Sequence, residues 1–166
     1  MAITKSGPQL LISDAYLALA SDIVRNSESQ EAALRTAISR AYYSVYLTVR
    51  DRLFGCDGVG LTNNVKKKLE KRIKQRGLST GSHANVISAV ALLPAKGITT
   101  PMTLSQQIDE LQDARIHADY NFGIDKLKDV PYNTWLEYSE KMVALASQLL
   151  PATKRLPSFD LDMFML

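Results

Sequence analysis

Apolar residues recur with a helical period along almost the whole chain, whereas glycine and proline gather in short clusters between the periodic segments. Apolar positions three or four residues apart lie on one face of an α-helix, and no convincing run alternates with the period of two expected of a strand. The clusters leave room only for short connections. The sequence therefore predicts an all-α chain that folds as an up-and-down antiparallel helical bundle of five to six helices.

Polar turn residues, glycines and prolines predict where these helices begin and end. Ser29 is expected to cap the second helix, and Phe54 to lie near its end. Val130 and Pro131 are expected to open the last helix, and Pro151 to end it, because proline suits a first helical turn and interrupts later ones. The six expected helices span about 9–26, 29–54, 61–77, 82–93, 103–120 and 130–151.

Residues 1–150 are expected to form this single bundle, and 151–166 a C-terminal tail of separate character. Pro157 separates the tail from the bundle, and 160–166 combines two acidic residues with an otherwise apolar stretch. Apolar surface of this kind is usually covered in a folded protein. The tail is therefore expected to fold back on the bundle or to contact a second copy, and docking on a separate protein is the alternative.

One face of the predicted second helix carries only small side chains, at positions that repeat every three or four residues. A stripe of this kind lets a neighbouring helix approach closely. The second helix is therefore expected at the centre of the bundle. The stripe consists of Ala33, Ala37, Ala41 and Ser44.

The composition is that of an ordinary globular protein, with 46% apolar and 22% charged residues among 166. No apolar run has the roughly 18 residues of a membrane span, and the N-terminus has no signal-peptide core. One cysteine, Cys56, suits a reducing compartment, and with only two histidines it makes a structural zinc site improbable. We expect a cytoplasmic protein with no metal, no cofactor and no membrane partner.

The positive charge of the chain is concentrated in one segment. Residues 66–76 hold seven basic residues and one acid, Glu70, and so carry +6, although the whole chain carries only +3. A local basic segment is typical of a surface that binds a polyanion, but lysine-rich helix faces are often simply solvated. No aromatic residue is interspersed there, so the segment predicts contacts with phosphates rather than base stacking. The expected phosphate contacts are Lys66, Lys67, Lys71, Arg72 and Lys74.

The end of the fifth predicted helix gathers reactive side chains in a short stretch. Arg115 and Asp119 are four residues apart on one helix face, Tyr120 can lie near Arg115, and His117 stands between them in sequence. Together an arginine, a histidine, a carboxylate and a tyrosine can hold a phosphate and move a proton beside it. The alternative is a surface ion pair between Arg115 and Asp119 with an isolated histidine. Arg40 is expected to face the same cleft.

Three segments resemble the signature of HEPN domains (higher eukaryotes and prokaryotes nucleotide-binding), in the small stand-alone prokaryotic branch. The first is 34–46, which contains Arg-Ala-Tyr-Tyr at 40–43, and the second is the histidine-led segment 83–87. The third is Arg-x-x-Ala-Asp-Tyr at 115–120. Their order and spacing agree with that family over about residues 9–150.

The resemblance implies an antiparallel helical bundle that commonly forms a homodimer. In many HEPN proteins it also implies a metal-independent endoribonuclease whose site is composed across the dimer. That activity accompanies a histidine that follows the motif arginine by several residues, where this chain has Tyr120, Asn121 and Phe122. His117 stands two residues after Arg115 instead. The resemblance therefore favours RNA or nucleotide binding with weakened cleavage.

Two alternatives remain open. One is an active endoribonuclease toxin of a toxin–antitoxin or defence system, in which a nucleotidyltransferase partner would modify a tyrosine, with Tyr120 as the candidate. The other is a helical adaptor or dimerisation protein without catalytic activity. On either nucleic-acid hypothesis, Arg115, His117, Asp119 and Tyr120 are the expected catalytic residues.

Overall fold

The computed structural model describes residues 8–27, 30–94, 101–120 and 127–159. Six α-helices occur within these ranges, and the described residues contain no strand. The all-α helical bundle predicted from the sequence is thereby confirmed. The helices are α1 (Pro8–Asn26), α2 (Glu31–Phe54), α3 (Asn63–Gln75), α4 (Ser82–Ala91), α5 (Pro101–Tyr120) and α6 (Trp135–Thr153), and one 3-10 turn (Cys56–Gly58) follows α2.

Helix α2 lies at the centre and packs against α1, α4, α5 and α6. Its small-residue stripe explains the close packing, because Ala37, Ala41 and Ser44 are completely buried. Ala33, at the start of the stripe, is only partly buried. The central position expected for the second helix is therefore confirmed. Larger apolar residues of α2 fill the core around the stripe, namely Leu34, Ile38, Val45, Val49 and Leu53.

Side-chain hydrogen bonds from α2 fix the orientation of α5 and its position along α2. The Arg35 Nε donates to the Ala118 carbonyl at 2.6 Å, and the Ser39 hydroxyl donates to Asp119 Oδ1 at 2.5 Å. The start of α2 therefore lies beside the end of α5, so the two helices run antiparallel. This arrangement places the Arg115–Tyr120 stretch against residues 35–43 of α2.

The last helix begins later than predicted. The Thr134 hydroxyl accepts a hydrogen bond from the Glu137 backbone N–H at 3.1 Å, and the Glu137 carboxylate accepts one from the Asn133 N–H at 3.1 Å. This reciprocal capping satisfies donors at the helix start and sets the first helical residue at Trp135. The predicted start at Val130 and Pro131 was wrong, since proline permits a helix start but does not supply a cap. The cap expected at Ser29 lies outside the described residues.

Helix α6 also continues through Pro151 to Thr153, so the predicted end at Pro151 was wrong. A proline in the last turn removes one N–H from the helix, but the turn is still held by packing. Leu150 and Thr153 are both buried.

The segment after α6 packs on the end of α2. Leu156 is completely buried, and its carbonyl accepts a hydrogen bond from Arg52 Nε at 3.0 Å. The Phe159 N–H donates to the Leu53 carbonyl at 2.7 Å, and the Phe159 ring lies 5.3 Å from the ring of Phe54. The chain thus folds back as far as Phe159. The acidic and apolar residues 160–166 of the predicted tail lie outside the described residues.

Replacing Ala37 by leucine should destabilise the bundle, because Ala37 has no exposed surface and three extra carbon atoms would overpack the contacts of α2. We expect the free energy of unfolding to fall by about 1–3 kcal/mol, as measured by urea denaturation. Ala32→Leu is the matched control, since Ala32 lies exposed on the same helix. Equal denaturation midpoints for the two variants would contradict the central packing of this face.

Candidate phosphate-binding site

Arg115 lies near the end of α5 and faces α2. Its Nε is 2.7 Å from Asp119 Oδ2 in an ion pair, and its Nη2 makes a long contact of 3.4 Å with the Tyr43 hydroxyl. The other oxygen of Asp119 accepts the hydrogen bond from Ser39, so the carboxylate is held from both sides. The ion pair between Arg115 and Asp119, which the sequence offered as the alternative to a phosphate site, is present, and Ser39 of α2 holds its carboxylate.

Two tyrosine rings flank the guanidinium of Arg115. The guanidinium carbon lies 5.7 Å from the centre of the Tyr43 ring and 5.5 Å from that of Tyr120, within the range of cation–π attraction. Burial opposes the charge, but the Asp119 carboxylate and the two tyrosines outweigh it and raise the pKa of Arg115 above its ordinary value. The arginine is therefore a permanent cation in a fixed orientation, with 19% of its side chain exposed.

His117 does not belong to this site. Two residues along a helix turn the side chain by about 200°, so His117 faces away from Arg115. Its ring stacks on Trp135 at 5.6 Å and contacts Tyr138 at 5.7 Å, both on α6. Its Nδ1 is buried and has no hydrogen-bond partner in the described part of the chain. The structure thus separates two residues that the sequence places next to each other.

The structure brings His83 toward Arg115 instead. His83 stands in the first turn of α4, and its Nδ1 lies 2.7 Å from the hydroxyl of Tyr42. Its ring stacks on Tyr46 at 4.3 Å and meets the Tyr43 ring edge-on at 6.2 Å. Burial and the positive charge of Arg115 both lower the pKa of His83. His83 therefore packs among the tyrosines of α2, and its proximity to Arg115 could not be predicted from local sequence.

Arg40 occupies a different place from the one predicted. Its guanidinium carbon lies 5.1 Å from the ring of Tyr16, so this arginine packs on α1. Its Nε is buried without a hydrogen-bond partner among the described residues. Arg115, in contrast, is held by α2 and by its own helix. No contact in the described residues joins Arg40 to the Arg115 site.

Helix α3 presents its positive charge to solvent. Its only acid, Glu70, accepts a hydrogen bond from Asn85 Nδ2 of α4 at 2.9 Å, so it faces the body of the protein. Lys67, Lys71 and Lys74 are spaced by four and three residues and share one face of the helix. None of the described ion pairs includes these lysines. All five lysines of α3 are exposed, namely Lys66, Lys67, Lys68, Lys71 and Lys74, and Arg72 is partly buried.

A cavity of about 370 Å³ on the opposite side of α5 has the wrong charge for a phosphate. Asp109, Glu110 and Asp113 line it together with the stacked rings of Tyr132 and Tyr138, which lie 4.6 Å apart. Burial, together with the neighbouring Asp113, raises the pKa of Asp109. An anion would be repelled from this cavity, so it is a poorer candidate for a phosphate than the surface around Arg115.

Within the described ranges, no three or more His, Cys, Asp or Glu side chains are grouped so as to hold a metal ion. None of the described helices combines the length and the apolar character that a membrane crossing requires. Compared with protein-family models, with curated proteins and with solved structures, the chain matches none of them.

The lowered pKa of His83 should make the stability of the fold depend on pH. Below the ordinary histidine pKa of 6.5, the unfolded chain takes up a proton at His83 that the folded chain resists, so acid favours unfolding. We therefore expect the stability that His83 contributes to be present above pH 6.5 and to decrease as the pH falls below it.

His83→Gln cannot titrate and isolates this contribution from that of the carboxylates. The difference in free energy of unfolding between the wild type and His83→Gln should shift in favour of the variant as the pH is lowered, measured by urea denaturation at a series of pH values. A difference that stays constant across the acid range would show that folding does not lower the pKa of His83.

Proposed function

We propose that this chain is an RNA- or nucleotide-binding helical bundle of the HEPN type. In this proposal Arg115 binds a phosphate group and the lysines of α3 contact further phosphates of the same strand. The resemblance of 34–46, 83–87 and 115–120 to the family signature supports the assignment. The site around Arg115 supports the choice of ligand.

The observation that carries the proposal is the permanent charge and fixed orientation of the Arg115 guanidinium. Arg115 is charged at every physiological pH, is fixed between two rings, and has its Nε engaged by Asp119. Its other described contacts are to the hydroxyls of Tyr43 and Tyr120, which are neutral acceptors. A phosphate oxygen can replace a hydroxyl acceptor with gain, because it adds the attraction between opposite charges and can be bound by two guanidinium N–H groups at once.

Cleavage of the bound strand is expected to be weak or absent. A metal-independent endoribonuclease needs a group that moves a proton beside the phosphate, and His117, the histidine nearest in sequence, packs on α6. The toxin alternative would therefore need a proton-transfer group from elsewhere. Tyr120, which is 63% exposed, is accessible for modification by a nucleotidyltransferase, the partner that belongs to the toxin alternative.

The proposal includes a homodimer in the cytoplasm. Several large apolar side chains are exposed on α1 and α5, namely Ile12, Leu19 and Ile116, and a second copy could cover them. The free Cys56 thiol is compatible with a reducing compartment.

Light scattering at micromolar concentration should give twice the mass of one chain, since the proposed family assignment and the exposed apolar residues both favour self-association. Ile116→Ser should lower the fraction of dimer, with Lys128→Ser as an exposed control outside these apolar positions. A monomer at all concentrations would exclude a site shared between two copies.

Binding to a short single-stranded RNA should weaken steeply with added salt, because each lysine–phosphate contact releases counterions. Fluorescence anisotropy should show roughly a tenfold loss of affinity or more for Lys67→Glu/Lys71→Glu, because two phosphate contacts are lost and two repulsive charges are introduced. Lys128→Glu/Lys141→Glu changes the net charge equally at exposed positions outside α3 and should bind nearly as the wild type does.

The same samples, incubated with a chelator, test cleavage. Any metal-free cut should leave a 2′,3′-cyclic phosphate and should be lost in Arg115→Ala, which removes the stabilising charge. Robust cleavage by Arg115→Ala would disprove the site. Absence of RNA binding at low salt would favour the adaptor alternative.

A further inference from the structure

The hydrogen bond between Tyr42 and His83 favours one position for the proton of the imidazole. The Tyr42 side chain is completely buried, and within the described residues His83 Nδ1 is the hydrogen-bond partner of its hydroxyl, at 2.7 Å. A buried hydroxyl proton needs an acceptor, and an unprotonated Nδ1 supplies one, so the geometry favours Tyr42 as the donor and Nδ1 as the acceptor. Neutral imidazole carries only one proton, which must then reside on Nε2 of His83.

The surroundings keep both members of this pair neutral. Burial raises the pKa of Tyr42, and burial together with the Arg115 charge lowers the pKa of His83. The groups that face His83 are the tyrosines of α2 (Tyr42, Tyr43 and Tyr46) and, from α5, Arg115. No carboxylate among the described residues contacts the imidazole to stabilise an imidazolium. His83 is thus suited to donate a hydrogen bond and poorly suited to exchange a proton.

Tyr43 connects this histidine to the arginine. Its ring touches the His83 ring edge-on, and the guanidinium of Arg115 lies over the same ring at 5.7 Å. His83 is partly exposed at the surface. His83 and Arg115 therefore share the Tyr43 ring as a neighbour, and the charge of Arg115 acts on the imidazole.

We propose that His83 Nε2–H is a fixed neutral donor that binds, together with Arg115, one and the same phosphate group. The inference rests on the proposed function, because it takes the phosphate at Arg115 as given. The inference adds that a residue of α4 also binds the phosphate, and that His83 acts as a hydrogen-bond donor rather than as an acid or base. The ligand class is a phosphate ester whose oxygens accept from one cationic and one neutral donor.

Because the donor is neutral, binding does not require acid. The RNA affinity should stay nearly constant between about pH 6.5 and pH 8, the range where an ordinary histidine that binds as imidazolium would lose its charge. A site that used an imidazolium would instead bind more weakly as the pH rises through this range.

The chain has only two histidines, so nuclear magnetic resonance can observe each ring separately. Long-range proton–nitrogen correlation should show His83 as the Nε2–H tautomer, assigned by the loss of its signals in His83→Gln. Titration with inorganic phosphate, and separately with a short single-stranded RNA, should shift the signals of His83. Those of His117, which packs on Trp135, should move little.

Affinity measurements on matched variants complete the test. His83→Ala should weaken RNA binding about tenfold, the loss expected for one hydrogen bond to a charged group. His83→Gln should recover most of this loss, because its amide N–H can donate from nearly the same position. His117→Ala should bind as the wild type does. Tyr42→Phe keeps the ring but removes the hydroxyl, so it should mix the tautomers of His83 and weaken binding severalfold, while circular dichroism confirms the fold.

The outcomes separate this inference from the proposed function. Phosphate that shifts His83 without any RNA binding would support the two-donor site and overturn the RNA assignment. RNA binding that is unaffected in His83→Ala would overturn the inference and leave the assignment intact. An Nδ1–H tautomer, or a His83→Gln variant as weak as His83→Ala, would also overturn the inference.

Discussion

The burial of α2 is the constraint on which the rest of the structure depends. Four helices pack around it, and its completely buried small residues, Ala37, Ala41 and Ser44, allow them to approach closely. Helices of this length gain most of their stability from packing rather than from their own propensity. The neighbours of α2 are therefore positioned by its surface. A change at this surface would alter the placement of Arg115 on α5 and His83 on α4.

The polar groups of α2 then decide the geometry of the site. Ser39 holds Asp119, which pairs with Arg115, and Tyr42 holds the imidazole of His83. Tyr43 lies between the arginine and the histidine and contacts both. One helix thus orients side chains from two others. Because these side chains are fixed before a ligand arrives, little conformational entropy would be lost when a phosphate binds.

The charges of the protein are segregated between different surfaces. The lysines of α3 face solvent because Glu70, the acid among them, is turned toward α4. On α5, Asp109 and Asp113 line a cavity on the side away from the arginine site. Segregation of this kind would steer the proposed anionic ligand toward the lysines of α3 and away from the acidic cavity.

The sequence by itself determined the helical bundle, the central second helix and the pairing of Arg115 with Asp119, because helical periodicity and spacing of four are local properties. The local pattern predicted the wrong start for α6, because Thr134 caps the helix and Pro131 does not. The sequence also grouped His117 with Arg115 by proximity along the chain. Only the tertiary structure decided that His83, and not His117, lies near Arg115. Contacts between helices bring together residues that are far apart in sequence, and no local pattern encodes these contacts.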